Sequence, residues 1–151
     1  MKAISMHMPW ALWVTIKWKG IETRTHNKFK NLKGERIAIH ATQQLYETEF
    51  YNEYFRQRIN KKDNLIQISN QMYMANMHRG MIMCTAVVKE ARWAPNVRFK
   101  EREDWSRMAM IDVAGKFCLF LEDVKPLKKQ IPYTGQQGIF NIPDSLVEEA
   151  A

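Results

Sequence analysis

Two short, unbroken apolar runs, Met81 to Val88 and Phe117 to Leu121, constrain the fold of this chain more than any other feature. Gly80 and Gly115 bound them, and both are enriched in β-branched or aromatic residues. Runs of that length and make-up leave no face for water, so they read as strands buried on both sides at the centre of a sheet. The rest of the chain must then supply that sheet's neighbours and its cover. Glu35 to Ala41 alternates, with Ile37, Ile39 and Ala41 on one face and Arg36, Ala38 and His40 on the other, as a half-buried strand does. Lys2 to His7 also alternates, setting Ile4 and Met6 opposite Ala3 and Ser5. Gly20 to Thr25 and Gly138 to Ile142 read as shorter strands.

Helical spacing occupies the intervals. Pro9 suits a first helical turn, and Trp10, Trp13, Val14 and Lys17 follow at steps of three and four, which predicts a helix from Pro9 to about Lys17. The N-terminus of such a helix offers unpaired N–H groups to a phosphate or carboxylate. Between Gln43 and Ile59, Tyr46, Phe50 and Tyr54 recur beside Tyr51, Phe55 and Ile59, predicting a long helix with an aromatic face turned to the core. Lys28 to Gly34 reads as an exposed basic loop, and Lys61 to His78 as a loop holding one helical turn. Arg92 to Gly115, of mixed charge and carrying Trp93 and Trp105, is expected to form a mobile cover over one mouth of the sheet. A short helix follows Pro143. The pattern is α+β: five or six strands in a small closed or nearly closed barrel, with flanking helices. Closure would remove exposed edges. A length of 151 residues suits one domain spanning 1–151.

A formal net charge of +7 favours polyanionic partners, and the excess is local. From Lys17 to Arg36 there are seven basic residues against Glu22 and Glu35. The two cysteines, Cys84 and Cys118, sit inside the apolar runs as small hydrophobes, and with no secretory signal the chain is expected to be cytoplasmic. No stretch approaches the roughly 18 consecutive apolar residues of a membrane span. His7, His26, His40, His78 and the cysteines lack metal-site spacing, so neither a metal nor a cofactor is expected. Glycine-rich phosphate loops and nucleophile elbows are absent as motifs.

The charges of Ile16 to Arg24, I-K-W-K-G-I-E-T-R, need a separate account. Gly20 and Thr23 weaken a helix there, so Lys19, Glu22 and Arg24 fall at a helix-to-strand junction. In a strand Glu22 and Arg24 share a face, and Lys19 joins them only if it enters from the preceding turn. Converging opposite charges either line a pocket or form an ion pair that holds the fold.

I-S-M-H-M-P-W-A (Ile4 to Ala11), K-x-x-E-x-R (Lys19 to Arg24), R-I-A-I-H-A (Arg36 to Ala41), Gly80 before its strand and P-Y-T-G-Q-Q-G-I-F-N-I-P (Pro132 to Pro143) together resemble an ASCH domain of the PUA-like superfamily. The resemblance covers nearly the whole chain, least at 42–79 and 92–114. The family signature reads G-x-K-x-x-E-x-R, and Lys17 stands where its glycine falls. The resemblance implies a small PUA-like β-barrel whose cleft, beside the signature, binds RNA or a nucleotide. Among the family's enzymes are ribonuclease-like members and N4-acylcytidine amidohydrolases; the latter carry threonine where this chain has Glu22.

On this reading the chain is an RNA- or nucleotide-binding domain with Trp10, Lys19, Glu22, Arg24, His40, Lys28, Lys30 and Arg36 as ligand-binding candidates. Trp10 would stack a base, and the basic residues would hold phosphates. His7 and Tyr133 are further candidates for the cleft. The alternative is a hydrolase of RNA or of a modified nucleoside, with Lys19 and Glu22 catalytic. A protein-interaction module is a third reading, should the Tyr46 to Ile59 face prove exposed.

Overall fold

The computed structural model of the protein describes residues 1–95 and 99–151. In chain order the elements are β1 (Lys2–Met8), α1 (Trp10–Thr15), β2 (Ile21–Arg24), β3 (Arg36–Leu45), α2 (Glu53–Arg56), α3 (Asn64–Met77), β4 (Met81–Trp93), α4 (Phe99–Ala109), β5 (Phe117–Pro132), β6 (Phe140–Asn141) and α5 (Asp144–Ala150). Short 3₁₀ turns occupy Lys30–Leu32, Glu47–Tyr51 and Lys61–Asp63. The strands form one six-stranded sheet in the order β2-β5-β4-β3-β1-β6. Strands β1 and β3 run parallel and the other pairs antiparallel.

The two apolar runs do lie at the centre. Both begin strands that extend well past them, and Ile82, Cys84, Ala86, Cys118 and Leu119 are inaccessible to solvent. Burial pushes the thiol of Cys84 up to about 12 and that of Cys118 up to about 11, and both remain free thiols. Closure is where the fold departs from expectation. The architecture is α+β with flanking helices, but the ladder ends at β2 and β6, and among the described residues no backbone pairing joins its edges. Register shifts between β3 and β4, and three between β4 and β5, bend the sheet. It curls far enough for Arg24 on β2 to donate from Nη2 to the backbone carbonyl of Ser5 on β1, at 2.7 Å. A side chain thus spans a gap that a closed barrel would span with backbone. Both edge strands are short, which limits unpaired backbone.

Helix α1 packs its Leu12, Trp13 and Val14 into the main core, where Trp13 stacks on Phe55 at 5.3 Å and meets Phe50 edge-on at 5.7 Å. These two phenylalanines belong to the segment expected to form one long helix. Instead Gln43 to Leu45 continue β3, whose Leu45 pairs with Met8. Asn52 then breaks the remainder: its backbone is extended, and its Oδ1 accepts from the N–H of Phe55 at 2.8 Å, starting α2 afresh. Conversely, 61–78 is no loop but contains the 14-residue α3, seated by buried Ile68 and Ala75. The basic loop is anchored rather than free, because Phe29 and Leu32 are buried. In the expected cover, β4 runs on to Trp93 and α4 packs through buried Trp105 and Ala109, with 96–98 of that stretch outside the described residues. Among the described residues no helix is long and apolar enough to cross a membrane.

The end of α1 shows what the resemblance's glycine position, held here by Lys17, does in the fold. Trp18 N–H bonds the carbonyl of Trp13 at 2.8 Å and Lys17 N–H that of Val14 at 3.0 Å, which is a Schellman cap with Lys17 in its left-handed position at φ 67. A side chain there costs about 1–2 kcal/mol, partly offset by glycine's greater unfolded-state freedom of about 0.5–1 kcal/mol. Lys17→Gly is therefore expected to stabilise by about 0.5–1 kcal/mol. Thermal denaturation checks this, and no rise in Tm would show the turn to be unstrained.

Candidate functional site

The cap at Lys17 reverses the chain and sends Lys19 inward, from the turn that precedes β2. Lys19 is 1% exposed, the most buried charged residue described. Its Nζ donates to the carbonyl of Ala109, at the C-terminal end of α4 where the helix dipole favours a cation, and lies 3.8 Å from Glu22 Oε1. Glu22, also buried, accepts from the backbone N–H of Thr23 through Oε1 and from Arg24 Nη2 through Oε2, each at 3.0 Å. Arg24 lies over the Phe29 ring at 4.9 Å. One carboxylate is thereby shared between an ammonium and a guanidinium.

Burial lowers the Lys19 pKa from 10.5 to about 8, against the pull of Glu22, which favours the charged form. Near neutral pH Lys19 is a cation that gives up its proton unusually readily. The three signature residues open on a pocket of about 220 Å³ walled also by Ser5, His7, Trp10 and Ile111. Trp10, half-buried at its edge, packs edge-on against Tyr46 at 5.5 Å.

A second cleft of about 920 Å³ adjoins the first, with Ser5, His7 and Arg24 lining both. His40 lies at its base, paired in register with Ser5 across β1 and β3. Its Nε2–H donates to the carbonyl of Tyr133 at 2.7 Å, which leaves Nδ1 to accept from the Ser5 hydroxyl at 3.0 Å. Burial lowers the pKa of His40, although the bond to Tyr133 favours the charged ring. The neutral imidazole thus stitches three segments together. Gly135 presses on this pair so closely that a Cβ there would stand 2.4 Å from the ring.

The predicted residues divide accordingly. Trp10, Lys19, Glu22 and Arg24 line the smaller pocket; Arg24, His40 and Lys28 line the larger cleft, as does Tyr133. Lys30 is exposed on its 3₁₀ turn and lines neither. Arg36 is turned elsewhere, donating to Thr85 Oγ1 at 3.0 Å and to the backbone carbonyl and carboxylate of Asp123. Ser5 and the loop from Thr134 to Gly138 also line the cleft and lie outside the residues expected there. The parallel pairing of Ser5 with His40 would have marked Ser5, but strand pairing is not written in either segment alone. Among the described residues, no three His, Cys, Asp or Glu side chains are grouped to hold a metal.

No protein-family model matches this sequence, and no curated protein matches it. Among solved structures, the crystal structure of ASCH from Zymomonas mobilis is similar with a TM-score of 0.58, covering 98% of this chain and 91% of its own, at 11% sequence identity. At that identity the likeness is one of fold, and it extends along almost the entire chain.

Proposed function

From a chain with the ASCH fold, we propose an RNA- or nucleotide-binding protein that takes a base into the signature pocket. The observation that carries this reading is the buried Lys19–Glu22–Arg24 cluster opening beside Trp10. Glu22 offers acceptors for an exocyclic amino group, Lys19 and Arg24 offer donors for ring nitrogens and carbonyl oxygens, and Trp10 offers a stacking face. Ligand groups held there are partly desolvated, which strengthens each polar contact.

Single-stranded RNA is expected to bind with an affinity that falls with salt, with a log–log slope of about −0.7 for each phosphate neutralised. Fluorescence anisotropy with a labelled oligonucleotide across a salt series measures this. Affinity that stays constant between low and high salt overturns the reading.

A hydrolase acting on RNA or on an acylated nucleoside is the second reading. It is favoured by the lowered pKa of Lys19, since an amine titrating at about 8 is suited to general acid–base work. Mass spectrometry of products from RNA and from N4-acylcytidine separates the two readings, with Lys19→Met as the inactive control.

A further inference from the structure

The signature pocket is too small for a whole ligand. Its volume of about 220 Å³ lies below the roughly 300–1,000 Å³ typical of sites that enclose a small molecule. The adjoining cleft, at about 920 Å³, provides the missing space, and a group passing from one to the other crosses Arg24.

Their chemistry differs. Glu22 lies in the wall of the pocket, whereas no aspartate or glutamate lines the cleft, which carries Arg24, Lys28 and His26. His26 Nδ1 accepts from the backbone N–H of Lys28 at 3.1 Å, so the neutral ring keeps its proton on Nε2 as a donor. The loop from Thr134 to Gly138 lines the same cleft. Among the described residues, no hydrogen bond within the protein uses the backbone N–H groups of Thr134 to Gly138. Gly138 has φ 73, and turns that include such residues gather N–H groups into anion-binding concavities. A cleft lined by donors from two separate loops and, among the described residues, by no carboxylate suits an oxyanion.

We propose that this cleft is a phosphate-binding subsite, so that the ligand is a phosphorylated nucleotide or an RNA chain running from the base pocket over Arg24 to Lys28 and the 134–138 loop. This rests on the nucleotide-binding reading above, and it excludes a free nucleoside as the preferred ligand.

Calorimetric titration with the four ribonucleosides and their 5′- and 3′-monophosphates tests it. At least one monophosphate is expected to bind tenfold or more tightly than its nucleoside. Lys28→Glu should remove that advantage. Lys30→Glu makes the same charge change on an exposed residue outside the cleft and should leave the advantage intact. Among the described residues Lys28 makes no side-chain hydrogen bond or ion pair that its replacement would break, and circular dichroism checks the fold of both variants. Nucleosides binding as tightly as monophosphates would overturn the subsite alone. Equal losses in the two variants would also overturn it, showing a diffuse field. If neither nucleosides nor monophosphates bind, the nucleotide-binding reading falls first and the subsite with it.

Discussion

Glu22→Ala is expected to destabilise the protein by about 3–5 kcal/mol, the loss found when one partner of a buried ion pair is removed. Glu22 is the carboxylate facing both Lys19 and Arg24, and Lys19 is so deeply buried that water replaces a lost partner poorly. Arg24 would keep the Ser5 carbonyl, but Lys19 would keep only that of Ala109. Chemical denaturation at pH 6 measures the loss as a fall in midpoint at constant slope. At pH 9 the loss should be smaller, because Lys19 is then largely neutral. Adding Lys19→Met removes the orphaned charge, so the double variant should be more stable than Glu22→Ala at pH 6. A loss below about 1 kcal/mol would place this cluster with surface ion pairs.

The second large effect is a pH dependence that belongs to Lys19. Its folded pKa of about 8 lies below the ordinary 10.5, so between those values the unfolded chain binds the proton that the folded protein has released. Stability from this group therefore rises with pH through that window, by about 3 kcal/mol in all, and is flat below it. The cysteines act in the opposite sense. Cys84 and Cys118 stay protonated in the fold to about 12 and about 11, so from about pH 9 the unfolded thiols ionise first and stability falls. The Lys19 contribution is isolated by subtracting the curve of Lys19→Met, in which both cysteines remain. A difference curve flat from pH 7 to pH 10.5 would show that Lys19 titrates normally. Glu22→Gln removes the charge that holds the proton on Lys19, so the rise should begin at lower pH.

The sheet was legible where one physical demand dominated. Apolar runs bounded by glycine give buried strands because no other placement hides them, and the alternation at Arg36 to Ala41 leaves little choice of face. The segment from Gln43 to Ile59 misled because aromatic residues at helical spacing also suit a chain folding around one large side chain, here Trp13. Asn52, a strong cap former, was the available sign of the break. Helix α3 was hidden by its polar residues: it buries only Ile68 and Ala75, too narrow a stripe to stand out among Asn and Gln. At the site, the convergence of Lys19 with Glu22 and Arg24 followed from spacing, whereas the diversion of Arg36 to Asp123 did not. That diversion depends on Arg36 reaching from β3 past Thr85 of β4 to Asp123 of β5, a contact between residues far apart in sequence.

The gap between β2 and β1 gives Arg24 two allegiances. Nη2 fastens one rim of the sheet to the other through the Ser5 carbonyl, while the same side chain is the partition between pocket and cleft. In a fully hydrogen-bonded barrel, the wall's curvature is indifferent to what lies inside it. Here the clasp and the partition are one guanidinium, so any ligand that took a hydrogen bond from Arg24 would bear on the contact that draws the two rims together.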